Sequence, residues 1–420
     1  MNPGSKGWLK AFIFGHYKKV CKKSCFVKNK SSSNEMFLYR IIQNTGIIYG
    51  LPAQFFLEDH PRINEWNDKE KLKLILTESY LNISFCIFKN RNNSFNFSEI
   101  DSVIENILSF YSKAFPDLFD KIKSTDSYVK LEKIIEKRIN LKYKISKSFL
   151  TSMFQNSMIF MDLVYYTRWL DNSEVIEYQQ QNNIKLIVLK FIAAATRTNQ
   201  YLLKEGKRIF EYFLQSAQLP DQKKAEARKY LAEKINISEI ETGLIDSWIL
   251  RKFCFEISVL TMWSDMILTD TGKLFIDELA QKLNLSDEDK ESSVIAVESF
   301  VLNNYDKIHY LKNKNNYQSL SEGLTKKISK KIIKNKSMII QELKESKELV
   351  ELLAKSGKTK LNDEEKKKVK EQLLDILRTM PSFAIFMVPG GSILLPLLLK
   401  VLPEEFFIPS SFKNKEESNP

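Results

Sequence analysis

From Glu35 onward the chain is written mainly in helical periodicity. Tyr128, Leu131, Ile134, Ile135 and Ile139 recur at spacings of one, three and four, with Lys and Glu between them. That is the signature of a helix with one buried face. Ile328, Ile332, Ile339, Leu343, Val350 and Leu353 form a second stripe, at spacings of three, four and seven. It predicts a basic amphipathic helix or helix pair over Gly323 to Ala354. Such a stripe can lie on a membrane, pair in a coiled coil or pack on the body. After the Ser356-Gly357 break, Asn362-Asp363-Glu364-Glu365 reads as a helix start, and Val369, Leu373, Ile376, Leu377 and Met380 line one face of that helix. Gly50–Pro52, His60-Pro61, Asn90–Asn96 and Phe115-Pro116 interrupt the helical patterns nearer the N-terminus. The expected fold class is all-α, a multi-helix body divided into a basic N-terminal segment and linker (1–34), a helical body (35–180), tandem helical repeats (181–305), a basic amphipathic region (306–360) and a hydrophobic segment with its tail (361–420).

The tandem unit comes from self-similarity. Gly206 to Leu219 aligns onto Gly272 to Leu285 without gaps, at one fixed offset. Each copy follows an apolar helix, Ile184–Ala195 or Phe253–Met266, and each precedes a charged helix start. From Trp263-Ser264-Asp265 through Leu285-Ser286-Asp287-Glu288-Asp289 the second copy resembles a TerB-type tellurite-resistance helical module. The resemblance implies a helical bundle with an occasional acidic metal site. Asp265 and Asp270 would be its ligands here, and Thr196, Thr198 and Asn199 stand in their place in the first copy.

The most distinctive stretch lies near the end. Met380 to Leu399 runs without a single charge, and most of its positions are Ala, Val, Ile, Leu, Met or Phe. As a helix it would reach about 30 Å, the thickness of a bilayer's hydrocarbon core. Pro381, Pro389 and Pro396 interrupt it, with Gly390-Gly391 at the centre and Pro403 and Pro409 beyond. Each internal proline removes a backbone donor and crowds the preceding turn. Two readings stand: a kinked or broken membrane helix, or two short apolar helices joined at Pro389-Gly390-Gly391-Ser392 and buried in a soluble core.

The spacing of Leu377-Arg378-Thr379-Met380-Pro381-Ser382-Phe383, Phe386, Pro389, Leu394-Leu395-Pro396, Lys400, Pro403 and Pro409-Ser410-Ser411-Phe412 resembles the membrane segment of the Letm family. That is the mitochondrial inner-membrane family named for a leucine zipper, an EF-hand and a transmembrane segment. The resemblance is strongest to its bacterial, biofilm-associated branch. It implies a membrane segment built from Met380, Pro381, Phe383, Phe386, Pro389, Gly390, Gly391, Ser392, Leu394, Leu395, Pro396, Lys400, Pro403, Pro409 and Phe412. Two departures matter. Ser392 stands where the family carries an acidic residue, and the family's ribosome-binding region follows this segment, whereas the sequence here closes at Pro420. The resemblance thus implies membrane association before ribosome binding or ion exchange.

Charge refines the picture. The net charge of +12 is concentrated in two patches. Residues 1–34 hold eight lysines and no acid, and residues 322–370 hold fifteen lysines against eight acids. Two basic patches beside a neutral body suit an anionic surface, either phospholipid headgroups or RNA. Gly7 to Phe14 is apolar for too short a distance to be a secretory signal. It reads as a short segment that touches a membrane or folds onto the body.

Catalytic chemistry is sparse. The three histidines, His16, His60 and His309, are isolated, and no phosphate-cradling glycine loop or His-Glu-x-x-His occurs. Asp287, Asp289, Glu291 and Glu298 mimic positions of a calcium loop, but Ser292 occupies the place of its glycine. Ser286 with Asp289 reads instead as a helix cap. Four scattered cysteines, Cys21, Cys25, Cys86 and Cys254, do not make a disulfide scaffold.

The expectation is a non-enzymatic, cofactor-free, membrane-associated protein of the bacterial cytoplasmic membrane, its bulk on the cytoplasmic side. Resemblance implies a role in cation and proton homeostasis or in docking ribosomes near the membrane. Lipids, the ribosome, a protein partner of the repeats and copies of the chain itself are the expected partners. The alternative is a soluble all-helical adaptor.

Overall fold

Side-chain caps set where many of the helices begin. Ser33, Asp126 and Ser247 each accept a hydrogen bond from the backbone N–H three residues on. Asn67 and Glu70 form a reciprocal capping box, and so do Asn362 and Glu365. Phe115 leaves helical geometry and Pro116 opens the next helix, where its missing N–H costs no hydrogen bond.

The computed structural model describes residues 1–18, 33–53, 55, 62–85, 97–141, 154–172, 174–197, 203–233, 235–263, 270–304, 314–356, 359 and 361–379. Among them are 17 α-helices and no strand, so the fold is all-α. In order they are α1 (Trp8–Phe12), α2 (Asn34–Ile42), α3 (Asp68–Ile83), α4 (Ile100–Ala114), α5 (Pro116–Asp120), α6 (Ser127–Ile139), α7 (Phe160–Asn172), α8 (Tyr178–Ala195) and α9 (Leu203–Ser216). Then follow α10 (Asp221–Ala232), α11 (Trp248–Met262), α12 (Asp270–Lys282), α13 (Asp287–Asn303), α14 (Lys314–Lys334), α15 (Lys336–Glu345), α16 (Lys347–Ser356) and α17 (Asp363–Thr379). The chain divides into two units, 1–297 with 307–310, and 298–306 with 311–420.

In the first unit the N-terminal segment folds onto the body. Trp8, Leu9, Phe12, Ile13 and Tyr17 are buried. The Glu132 carboxylate of α6 accepts from the Gly7 and Leu9 N–H groups at 3.0 and 3.2 Å. The body packs α3, α4, α6 and α7 around Tyr80, Tyr111 and Tyr166. Gly50, at φ 73°, passes so close to the 156–157 backbone that a Cβ would meet it at 2.4 Å. Predicted breaks at 60–61 and 90–96 fall outside the described residues. The expected N-terminal segment and linker (1–34) ends earlier, since Ser33 already caps α2.

The two repeated stretches share local geometry. Helix α9 ends in a turn at Gln218 and α12 in a turn at Asn284. The next helices, α10 and α13, start at Asp221 and Asp287, again at equivalent positions of the two copies. Both α9–α8 and α12–α11, the equivalent pairs of the two copies, are packed.

In the second unit the predicted basic helix is three helices, α14 to α16, separated at Asn335 and Ser346. Leu324, Ile328, Ile332, Ile339, Leu343 and Leu353 are buried, so the stripe faces protein rather than solvent. In α16 Leu349 is buried beside Leu353, whereas Val350 is half-buried.

Candidate functional site

The described part of the hydrophobic C-terminal region is α17. Val369 and Leu373 are buried, and α17 packs against α15 and α16. Polar contacts flank that seam. The Ser346 hydroxyl donates to Gln372 Oε1 at 3.2 Å, and Gln372 Nε2 donates to Glu348 at 2.6 Å. Lys368 lies 3.4 Å from Glu348, and Lys355 2.5 Å from Glu365. The Lys355 hydrogen bond holds the Glu365 carboxyl below its usual range. Helix α17 is thus fixed along its first turns and leads into the uncharged run. The predicted site residues themselves, Met380, Pro381, Phe383, Phe386, Pro389, Gly390, Gly391, Ser392, Leu394, Leu395, Pro396, Lys400, Pro403, Pro409 and Phe412, lie outside the described residues. Among those described, no helix is long and apolar enough to cross a membrane.

The metal candidates of the central repeats are described only in part. Asp265, Thr198 and Asn199 lie outside the described residues, and the Thr196 hydroxyl donates to the Ala193 carbonyl at 2.7 Å. Among the described residues no group of three or more His, Cys, Asp and Glu is arranged to hold a metal ion. The calcium-loop mimic is helical: α13 runs through it, and Ser286 Oγ accepts from Asp289 N–H at 3.1 Å as a cap. Cys21, Cys25 and Cys86 lie outside the described residues, whereas Cys254 is a buried free thiol with its pKa pushed up by burial.

Three polar features of the first unit escape a reading of the sequence. In the first, Glu256 sits fully buried in the apolar helix α11. It accepts from the hydroxyls of Tyr39, Tyr49 (2.9 Å) and Ser293 (2.9 Å), and Lys252 Nζ lies 3.8 Å away. Lys252 donates to Ser292 and Ser293 at 3.1 and 2.7 Å and stands over the rings of Tyr39 and Trp248. Burial raises the Glu256 pKa, opposed by Lys252, and burial lowers the Lys252 pKa, opposed by Glu256. The one available signal is that Glu256 is the sole charge between Phe253 and Met262.

The second is a bidentate pair. Arg138 donates through Nε and Nη2 to the two oxygens of Asp162, at 2.7 and 2.6 Å. Tyr111 donates to Asp162 at 3.3 Å, its hydroxyl is 2.7 Å from that of Tyr80, and the guanidinium stacks 4.4 Å from the Phe115 ring centre. Lys185 is buried nearby, its pKa lowered to about 7 by desolvation first and by the Arg138 charge second.

The third is a cleft of about 410 Å3 lined by Glu35, Arg168, Asp171, Glu174, Asp246, Ser247 and Trp248. Arg168 pairs with Asp246, Asn34 donates to Asp171, and Glu35 accepts from the Ile249 N–H in the first turn of α11 at 3.3 Å. Four carboxylates against one guanidinium give this cleft a negative field.

These features define an all-helical protein with buried charge networks and a lysine-rich second unit that leads into an apolar C-terminal segment. Residues 361–420 match the family model described as "LETM1-like, RBD". The match starts just before α17, includes the whole uncharged run, and covers a small part of the chain. It supports the Letm resemblance for that segment. Comparison with curated proteins and with solved structures gives no match. No comparison supports the TerB-like reading of the repeats or the biofilm-associated branch.

Proposed function

We propose that the chain is a membrane-associated, Letm-like tether without enzymatic activity, its C-terminal segment anchored in lipid and its helical units held at the surface. The observation that carries this reading is the family match over residues 361–420, coincident with the uncharged run from Met380 to Leu399. The rigid seating of α17 supports it, because an anchor transmits position only if the helix leading into it is fixed. Of the two roles the resemblance implies, ribosome docking is the better supported. The matched family's description carries the abbreviation RBD, which we read as a ribosome-binding domain, and the match lies on residues 361–420 themselves rather than after them as the resemblance implied. Cation–proton exchange through a single chain is disfavoured, since Ser392 replaces the family's acidic residue and has no proton to exchange at physiological pH. The lysines of 355–370 favour the cytoplasm for the N-terminal side of the segment by the positive-inside tendency. The bacterial inner membrane, the biofilm-associated branch and self-association belong to the same proposal.

The acid-lined cleft beside Trp248 favours a second reading, an adaptor that takes a basic protein segment through the central repeats. Alkaline carbonate extraction of cell membranes separates the two. The tether stays with the pellet until detergent is added, and deletion of residues 371–420 releases it. Release of the full-length chain by carbonate leaves only the adaptor.

A further inference from the structure

The amphipathic stripe of α14 to α16 is buried against protein, so it is not the surface that meets lipid. The opposite side of the same helices carries a different pattern. The stretch from Gly323 to Gln341 holds six lysines and no acid. Lys327 pairs with Glu298, and Lys331 is buried. Lys326, Lys330, Lys334 and Lys336 are exposed, and none of the four pairs with a described carboxylate. Among these lysines stand two of the few large apolar side chains that the described residues leave in water, Ile333 at 62% exposure and Met338 at 46%.

Lys326, Lys330 and Ile333 fall at spacings of four and three, which places them on one side of α14. Ile328 and Ile332 are buried on another. Met338 follows in α15, just past the one-residue break at Asn335. That break is well held. The Asn335 N–H donates to the Lys331 and Ile332 carbonyls, both at 3.2 Å, and its side-chain amide to Lys331 O at 2.9 Å. Its carbonyl accepts from the Ile339 N–H at 3.0 Å. Ile333 and Met338 are thus presented on a fixed bend, one on each side of it.

Isolated exposed apolar residues are ordinary on protein surfaces. Two of them flanking a held bend, among four exposed lysines and no acid, are a combination that an anionic membrane interface suits. Ammonium groups meet phosphate and carboxylate headgroups while short apolar side chains enter the acyl boundary. An RNA backbone would satisfy the lysines alone and leave Ile333 and Met338 without a partner.

We propose that the surface around the Asn335 bend, formed by the α14 side bearing Lys326, Lys330, Ile333 and Lys334 and by the exposed Lys336 and Met338 of α15, is a peripheral contact for anionic lipid, in addition to the anchor formed by the C-terminal segment. This rests on the membrane reading above, but the two are separable. The full chain is synthesised without cells in the presence of vesicles, either phosphatidylcholine alone or phosphatidylcholine with phosphatidylserine, and floated on a gradient. Four proteins are compared: wild type; Lys326, Lys330, Lys334 and Lys336 all changed to Gln; Ile333→Ser with Met338→Ser; and a charge-matched control with Lys121, Lys123, Lys133 and Lys137 changed to Gln in the first unit, all four of them exposed.

The expected result is a surplus of wild-type protein on anionic over neutral vesicles, with a loss of about fivefold in that surplus per lysine removed from the face. The Ser variant also lowers it, the control retains it, and neutral-vesicle recovery is unchanged in all four. An anionic surplus equal in wild type and the face variant overturns this inference and leaves the anchor standing. No recovery on neutral vesicles with a surplus that persists on anionic ones overturns the anchor and leaves the face. A surplus that added RNA abolishes and the Ser variant leaves intact assigns the face to nucleic acid instead. Circular dichroism equal to wild type confirms that each variant is folded.

Discussion

Gln218 and Asn284, at equivalent positions of the two repeated stretches, hold the same left-handed backbone, with φ of 50° and 49°. Each follows a helix whose last N–H bonds match in register: 217 to 213 and 218 to 215 in one copy, 283 to 279 and 284 to 281 in the other. The shared turn has different neighbours. Asn284 is exposed, whereas Gln218 accepts from Arg138 Nη1 at 2.9 Å and donates to the Arg138 carbonyl at 2.8 Å. Glycine relieves left-handed strain. Asn284→Gly is therefore expected to be neutral or stabilising by up to about 1 kcal/mol. Gln218→Gly is expected to destabilise by about 1–3 kcal/mol, because a buried guanidinium loses a partner. Urea unfolding of the two variants checks the difference in sign.

Asp162→Asn removes the charge that Arg138 faces while keeping its shape. A buried cation left without its counter-ion costs about 3–5 kcal/mol. Changing Arg138 to Met together with Asp162 to Leu should cost less than either single change. A double-mutant cycle by thermal unfolding tests this; equal, additive losses would mean that the pair is not a unit.

Lys185 gives a pH signature. Its folded pKa is lowered to about 7, against an unfolded value of about 10.4. Between those values the unfolded chain holds a proton that the folded chain does not, so stability rises with pH through this window. Below it the burial cost is fully present, up to about 5 kcal/mol. Lys185→Met is expected to be more stable than wild type at pH 6, with the gap closing toward pH 10 as unfolded Lys185 loses its proton, both values being about the ends of that window. Urea midpoints measured across the range check it. A gap that does not change with pH would contradict it.

The seating of α17 is apolar first. Leu373→Ala removes a side chain that is 1% exposed and should cost the second unit about 2–5 kcal/mol. Glu348→Gln, at an exposed polar contact, should cost less than about 1 kcal/mol. Hydrogen exchange of α17 amides reads both, and an equal effect would mean that the polar flank, not the apolar row, holds the helix.

Caps and periods made much of the fold legible. Asn362 with Glu365, Ser286 with Asp289, Phe115-Pro116 and the burial of Ile328 and Ile332 follow from local rules that tertiary contacts did not override. The buried charges were not legible, because Arg138, Lys185 and Lys252 occupy helical positions that look like solvated ones until a partner from a distant helix is placed beside them. The cleft draws on stretches near 35, 168–174 and 246–248, which no periodicity connects.

The central claim is that hydrocarbon surrounds the proline-broken run. A photoreactive amino acid at Leu394, activated in native membranes, reads its neighbours directly. A lipid adduct is the expected main product. Crosslinks only to the chain's own helices, with no lipid captured, would contradict it.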